Sequence, residues 1–169
     1  MAAKKNSKRF PGKNFYQYQG VPLFWHSVQP LINSNLVSNV YVASDSDEVI
    51  KFCLDKDVKT IFRGVNAILD EEPLLNVLRY CVMTIDDKFD AIITIMANCP
   101  NHLISDVDSA INLMKQNPNL LEVRSFDKQG NETGLIVLRR SVILNNHQIS
   151  SHLGSIKTSG FEVHYKNDL

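Results

Sequence analysis

The chain has 169 residues, 44% hydrophobic and 21% charged, with a formal net charge of zero; this marks a globular fold with a real core and excludes a disordered chain. Neutrality argues against a protein built to wrap nucleic acid, which carries a basic excess, and no apolar run approaches the length of a membrane span. The three cysteines, Cys53, Cys81 and Cys99, lack paired spacing and read as reduced packing thiols in a cytoplasmic protein.

The chain opens on a concentration of charge. Of its 18 Lys and Arg residues, five are Lys4, Lys5, Lys8, Arg9 and Lys13, and no acidic residue precedes Asp45. Ser7, Pro11, Gly12 and Asn14 among them favour turns and offer short polar groups, so 4–14 reads as a basic loop suited to a phosphate chain. Val21–Asn35 reads as a helix that starts at Pro22, with Pro30 predicting a kink or an early end. Asn39–Ala43 is a short strand running into the polar loop 44–48 and a helix over Glu48–Asp57. Val58–Phe62 is a further strand, Glu72–Ile85 a helix, and the nearly continuous apolar run Asp90–Ala97 a strand covered on both faces. Ser105 reads as the cap of a helix to Gln116. Leu120–Phe126 and Gly134–Arg140 read as strands around a turn at 127–131, and Phe161–Tyr165 as a last strand.

Strands alternating with helices predict an α/β fold with a mostly parallel sheet. Ligands of such folds sit beyond the carboxyl ends of the strands, where loops 4–14, 44–48 and 98–103 and Arg63 fall. Neither GxGxxG nor GxxxxGK[ST] is present, so neither a dinucleotide fingerprint nor a Walker loop is available. His26, His147 and His152 are isolated, nothing marks Cys99 as a nucleophile, and Met96 and Tyr80 read as core.

The order of motifs resembles the nucleotide-sugar cytidylyltransferases, especially the N-acylneuraminate (CMP-sialic acid synthetase) branch. That family opens with a strand and Ala-Arg-x-Gly-Ser-Lys-x-x-x-x-Lys-Asn, which is similar to Ala3-Lys4-Lys5-Asn6-Ser7-Lys8-Arg9-Phe10-Pro11-Gly12-Lys13-Asn14 without a gap. Gly20-Val21-Pro22-Leu23 resembles its Gly-x-Pro-Leu, and Val42 through Val49 its Val-Ser-Thr-Asp-x-x-Glu-Ile. A later Arg and Asp block resembles Arg63 through Asp70, and the Gln-Pro-Thr-Ser-Pro-Leu-Arg loop and Asp-Ile-Asp helix resemble Met96–His102 and Asp106–Ile111.

The resemblance implies a Rossmann-like three-layer nucleotide-diphospho-sugar transferase fold in one domain, its first strand cut short to Met1-Ala2-Ala3. It implies transfer of CMP from CTP to an acidic, sialic-acid-like nonulosonate sugar with release of pyrophosphate. Lys4 and Lys13 would hold the triphosphate and stabilise the departing pyrophosphate, with Ser7 and Lys8 completing the cradle. Asn14 and Arg63 would contact the cytidine, Asp45 would sit near the nucleotide, and Asn98 would reach the sugar. The family's metal-binding Asp-Ile-Asp falls on Glu162-Val163-His164, so Glu162 and His164 would take a divalent cation, Mg²⁺ or, given the imidazole, Mn²⁺, with Asp168 a substitute. The partners implied are CTP and the acidic sugar, with no nucleic acid and no membrane, in a homodimer whose contact involves Glu122–Ser141. Met96 stands at the loop's Gln, His102 at its Arg, and Leu74 at a base-contacting Ser. The short first strand and His164 motivate a second reading, a degenerate member that binds a nucleotide or a partner protein without catalysis.

Overall fold

The computed structural model describes residues 1–5, 7, 9–63, 73–145 and 152–169. Three parallel strands form one half of the sheet system: β1 (Ala2–Ala3) beside β4 (Tyr41–Ser44), and β4 beside β5 (Lys59–Phe62). The other half is ordered β6 (Ala91–Ile95), β8 (Glu132–Arg139), β7 (Glu122–Phe126), β9 (Leu153–Lys157). Within it β7 and β9 run parallel, and β8 alone is reversed against β6 and β7. The α/β, mostly parallel frame is thus as expected, with β8 as its antiparallel insertion.

β8 shows why the frame has three layers. Leu135 and Val137 point into one cluster with Val107, Ala110 and Met114 of α4 (Ile104–Gln116) and Leu31 of α1 (Leu23–Asn33). Ile136 and Leu138 point into another, with Leu78 and Val82 of α3 (Leu74–Thr84) and Val142 and Ile143 of α5 (Arg140–Leu144). Alternate residues of an extended chain face opposite sides, so a strand covered on both faces is apolar throughout. A third cluster joins Ala3 and Val42 to Phe24, Trp25 and Val28 of α1 and to Val49 and Cys53 of α2 (Asp47–Leu54).

Several expected boundaries move. α1 continues through Pro30 and ends three residues later, at Asn33. Pro30 is itself buried, so packing outweighs the lost backbone bond. α4 starts at Ile104, and Asp106 rather than Ser105 caps it: its carboxylate accepts the Leu103 N–H at 2.9 Å. Phe161–Tyr165 is not a strand, whereas the edge strand β9, unmarked by any apolar run, is. A Cβ on Gly154 of β9 would meet Leu120 Cδ1 at 2.9 Å and Leu113 Cδ2 at 3.1 Å, so a side chain there would have to displace the ends of these leucines. Residues 122–141, expected at the dimer contact, form the β7–β8 pair and the start of α5.

Gly134 sits where β8 passes the 96–99 loop. Its φ is +82°, and an added Cβ would lie 2.4 Å from Cys99 Sγ. Gly134→Ala should therefore combine left-handed backbone strain with overpacking, together about 2–4 kcal/mol, and lower the melting temperature by roughly 5–12 °C. A thermal shift under 2 °C would show that the loop yields.

Candidate functional site

The basic loop is built on an aromatic anchor. Residues Lys13–Phe15 form one 3₁₀ turn whose first residue follows Gly12 at φ +71°. Phe15 packs against Phe24 and Phe52, with ring centroids 5.7 and 6.2 Å away, which fixes Lys13 and Asn14 at the mouth of the core. Asn14 Nδ2 donates to the Lys4 carbonyl at 2.6 Å, Phe10 N–H donates to Ser7 Oγ at 3.3 Å, and Lys5 N–H donates to Asp45 Oδ1 at 2.7 Å. Beyond the loop, Gln19 (φ 48°) and Gly20 (φ 86°) make the tight turn between β2 (Gln17–Tyr18) and β3 (Val21–Pro22), the conformation a two-residue hairpin requires.

A pocket of about 130 Å³ opens beyond the carboxyl end of β1, lined by Lys4, Ser7, Lys13, Asn14 and Asn98 together with Met96 and Leu74. Five expected site residues thus converge on one cavity. Met96, expected in the core, lines it instead: it follows β6 directly and projects from the strand end. A larger cleft of about 440 Å³ lies at the opposite ends of the strands and contains none of these basic residues.

The pocket's far wall is tied down by backbone. Val163 N–H donates to the Asn98 carbonyl at 2.8 Å, and Asn98 Nδ2 donates to the Val163 carbonyl at 3.0 Å and to Glu162 Oε1 at 3.1 Å. Lys13 Nζ donates to the same Val163 carbonyl at 3.0 Å. The 161–165 segment is therefore held by a reciprocal pair with Asn98 rather than by a ladder. Burial lowers the pKa of Lys13, opposed by the Glu162 carboxylate and reinforced by Arg9 and Lys4. Glu162 Oε2 lies 3.3 Å from His164 Nε2. Asp168 Oδ2 is engaged by the His164 and Tyr165 N–H groups, each at 2.7 Å, which hold its carboxyl below the usual range and leave it a turn-former.

Other expected residues stand apart. Asp45 secures the loop backbone through Lys5 and does not line the pocket. Arg63 is buried at the end of β5, its N–H donating to the Ser44 carbonyl at 2.9 Å, and likewise lies outside the pocket lining. Lys8, Asp70 and His147 fall outside the described residues. His102, at the family loop's Arg, is 6% exposed, and its Nε2 donates to the Thr133 carbonyl at 2.7 Å. Burial lowers its pKa, so it presents no cation to a ligand. Among the described residues no cluster of three His, Cys, Asp or Glu side chains could hold a metal alone, and no helix is long and apolar enough to cross a membrane. Sequence reasoning missed the Val163 carbonyl, on which Lys13 and Asn98 both converge; a backbone group leaves no residue-type signal.

Cys99 is fully buried, and burial, with the nearby Glu162 carboxylate, pushes its thiol up to about 12; burial carries Cys53 to about 11. Neither is a nucleophile at neutral pH. A thiol whose folded pKa exceeds its unfolded value near 9.0 keeps its proton while the unfolded chain loses its own. Stability should thus be unaffected by these groups below pH 9 and fall above it, by roughly 1.4 kcal/mol per pH unit and thiol. Urea midpoints from pH 7 to 10.5 would show the decline, and a decline undiminished in a Cys53→Ala, Cys99→Ala double variant would refute the assignment.

The cytidylyltransferase family model matches residues 2–153. Over 60 residues the chain is 35% identical to the pseudaminic acid cytidylyltransferase of Campylobacter jejuni subsp. jejuni serotype O:2, a stretch covering 36% of this chain and 26% of the relative. The matched stretch thus spans about a quarter of that relative's length. Among solved structures, the CMP:2-keto-3-deoxy-manno-octonic acid synthetase complexed with CTP superposes with a TM-score of 0.81 at 16% identity, covering 99% of this chain and 92% of its own. A Mycobacterium tuberculosis H37Rv protein solved with manganese gives a TM-score of 0.72 at 10% identity, covering 99% and 94%. At those identities the structural likeness speaks for the fold, while the family model spans nearly the whole of the chain: the protein belongs to the cytidylyltransferase family.

Proposed function

We propose that this chain transfers CMP from CTP to an acidic keto sugar of the sialic-acid-like nonulosonate class, releasing pyrophosphate. The observation that carries the reading is the single pocket in which Lys4, Ser7, Lys13, Asn14 and Asn98 converge beyond the end of β1. The broader class, an acidic keto sugar, fits the relatives, one named for pseudaminic acid and one for 2-keto-3-deoxy-manno-octonic acid.

In this reading the sugar hydroxyl attacks the α-phosphorus of CTP. The new oxygen–phosphorus bond replaces the bond to the bridging oxygen of the β-phosphate, pyrophosphate departs, and the hydroxyl proton passes to solvent. Such a transfer depends on positioning and on neutralising charge that grows on the leaving group. Lys4 and Lys13 supply that charge from opposite ends of the loop, and Ser7 adds a hydroxyl donor. Asn14 positions Lys4 by holding its carbonyl. Asn98, whose side chain braces Glu162 and Val163, sets the sugar-side wall. Arg63 and Asp45 act at one remove, Asp45 by fixing the loop backbone.

Glu162 and His164 offer one carboxylate and one imidazole on adjacent, partly exposed side chains. That pair would hold a divalent cation, and the nitrogen donor favours Mn²⁺ over Mg²⁺. Bound there, the cation would supply charge neutralisation for the triphosphate. Calorimetry with CTP, UTP, ATP and GTP tests the nucleotide assignment: CTP should bind at least tenfold more tightly than the others, and more tightly with Mn²⁺ present. Equal affinity for all four, or none for CTP, would overturn it.

A further inference from the structure

The buried face of α1 carries one hydroxyl. Ser27 is fully buried, on the same helix face as Phe24, Val28 and Leu31. A hydroxyl taken out of water costs free energy unless it finds an acceptor. A helical serine can meet that need on the carbonyl one turn back in its own helix. Ser27 reaches out of the helix instead. Its Oγ donates to the Met96 carbonyl at 2.9 Å and lies 3.3 Å from the Cys99 carbonyl oxygen, so one proton is shared between the two ends of a single turn.

That turn carries part of the candidate site. It is closed by the Cys99 N–H, which donates to the Met96 carbonyl at 3.0 Å, and tied to β8 by the Met96 N–H, which donates to the Gly134 carbonyl at 2.9 Å. Asn98 stands inside it, with its side-chain amide on Glu162 and the Val163 carbonyl. The same helix also holds the opposite wall. Phe24 packs against Phe15, whose turn bears Lys13 and Asn14, and the Leu23 N–H donates to the Tyr16 carbonyl at 2.9 Å. Residues 24 and 27 are neighbours on a helix surface, one turn apart. Lys13 and Asn14 line the pocket together with Met96 and Asn98, so both walls take their spacing from two adjacent side chains of one helix.

We propose that Ser27 is a positioning residue, whose hydroxyl fixes the 96–99 turn, and with it Met96 and Asn98, at a set distance from the loop that bears Lys13. The wall it fixes is the sugar side of the proposed transfer, an assignment that rests on that reading. The phosphate side hangs on Phe24 and stays in place when Ser27 is changed. Loss of the hydroxyl therefore loosens one wall and not the other.

Ser27→Ala and Ser27→Thr test it together. Alanine removes the donor; threonine keeps a donor and adds a methyl at a fully buried position, which overpacks it. Both variants should melt below the parent, but only alanine should free the turn. Hydrogen exchange at the Cys99 amide should be about five- to tenfold faster in Ser27→Ala, the factor carried by one lost hydrogen bond, and close to the parent rate in Ser27→Thr. In turnover, Ser27→Ala should raise KM for the acidic sugar by about fivefold and leave KM for CTP within about twofold, with threonine restoring the first. Cys99 exchange that is unchanged in Ser27→Ala, or equally fast in both variants, would overturn the proposal. So would values of KM for sugar and CTP that rise together. Exchange needs no turnover, so a parent chain without CMP transfer would overturn the proposed activity alone, and the two fail separately.

Discussion

Lys13→Ala should slow CMP transfer by about 10²–10³-fold, the loss that follows removal of one preorganised charge at a developing anion, with the melting temperature held within about 4 °C. The two effects separate because the side chain has two jobs. Its Nζ donates to the Val163 carbonyl at 3.0 Å, a bond worth about 1 kcal/mol in the folded protein, and Asn98 still serves that carbonyl when it is gone. Under the proposed activity its charge would serve the phosphates, and negative charge accumulates on the leaving pyrophosphate more in the transition state than in bound CTP. The loss should therefore appear in kcat more than in KM. Lys13→Arg keeps the charge in a bulkier, planar group and should recover part of the rate. Turnover of the alanine variant within tenfold of the parent would remove Lys13 from the machinery.

Asn98→Ala should act on stability and activity together. The side chain is 8% exposed and donates to both Glu162 Oε1 and the Val163 carbonyl. Losing two partly buried bonds costs about 2 kcal/mol, or roughly 4–8 °C in melting temperature for a chain of this size. Without its donor the Glu162 carboxylate is free to turn from His164, and transfer should fall by about tenfold or more. Asn98→Asp should be worse on both counts, because it removes the donors and sets a second carboxylate 3 Å from Glu162 Oε1, where like charges repel. Thermal melts and turnover of the two variants check the order. An aspartate variant as stable as the parent would mean that Glu162 does not face Asn98.

The parts of the site that were legible in the sequence are those written in residue types. A run of cations without a counter-charge, broken by Ser7, Gly12 and Asn14, marked the loop that lines the candidate pocket, and the strand–helix alternation placed it at strand ends. The apolar strands buried on both faces were legible for the same reason: β6 carries an uninterrupted β-branched run. What stayed hidden depends on backbone and on distant packing. β9 is an edge strand whose burial alternates between half-exposed and exposed, so it leaves no hydrophobic run. Phe161–Tyr165 has the composition of a strand, but Val163 spends its N–H and C=O on Asn98 and Lys13, and no ladder forms. His102 stands where the family loop has an Arg, a departure visible in the sequence, but nothing there showed that the Thr133 carbonyl claims its ring. Asp45 held its place at a strand end, yet its carboxylate serves the loop's own backbone.

The proposed activity is tested most directly by the product. Incubation with CTP, Mn²⁺ or Mg²⁺ and each of three acidic keto sugars, 2-keto-3-deoxy-manno-octonic acid, pseudaminic acid and N-acetylneuraminic acid, should yield a CMP-sugar by mass spectrometry, with one pyrophosphate released per product. That product should be abolished or nearly so in Lys13→Ala. Tight binding of CTP without a CMP-sugar from any of the three, under either metal, would contradict the reading and leave a nucleotide-binding protein in its place.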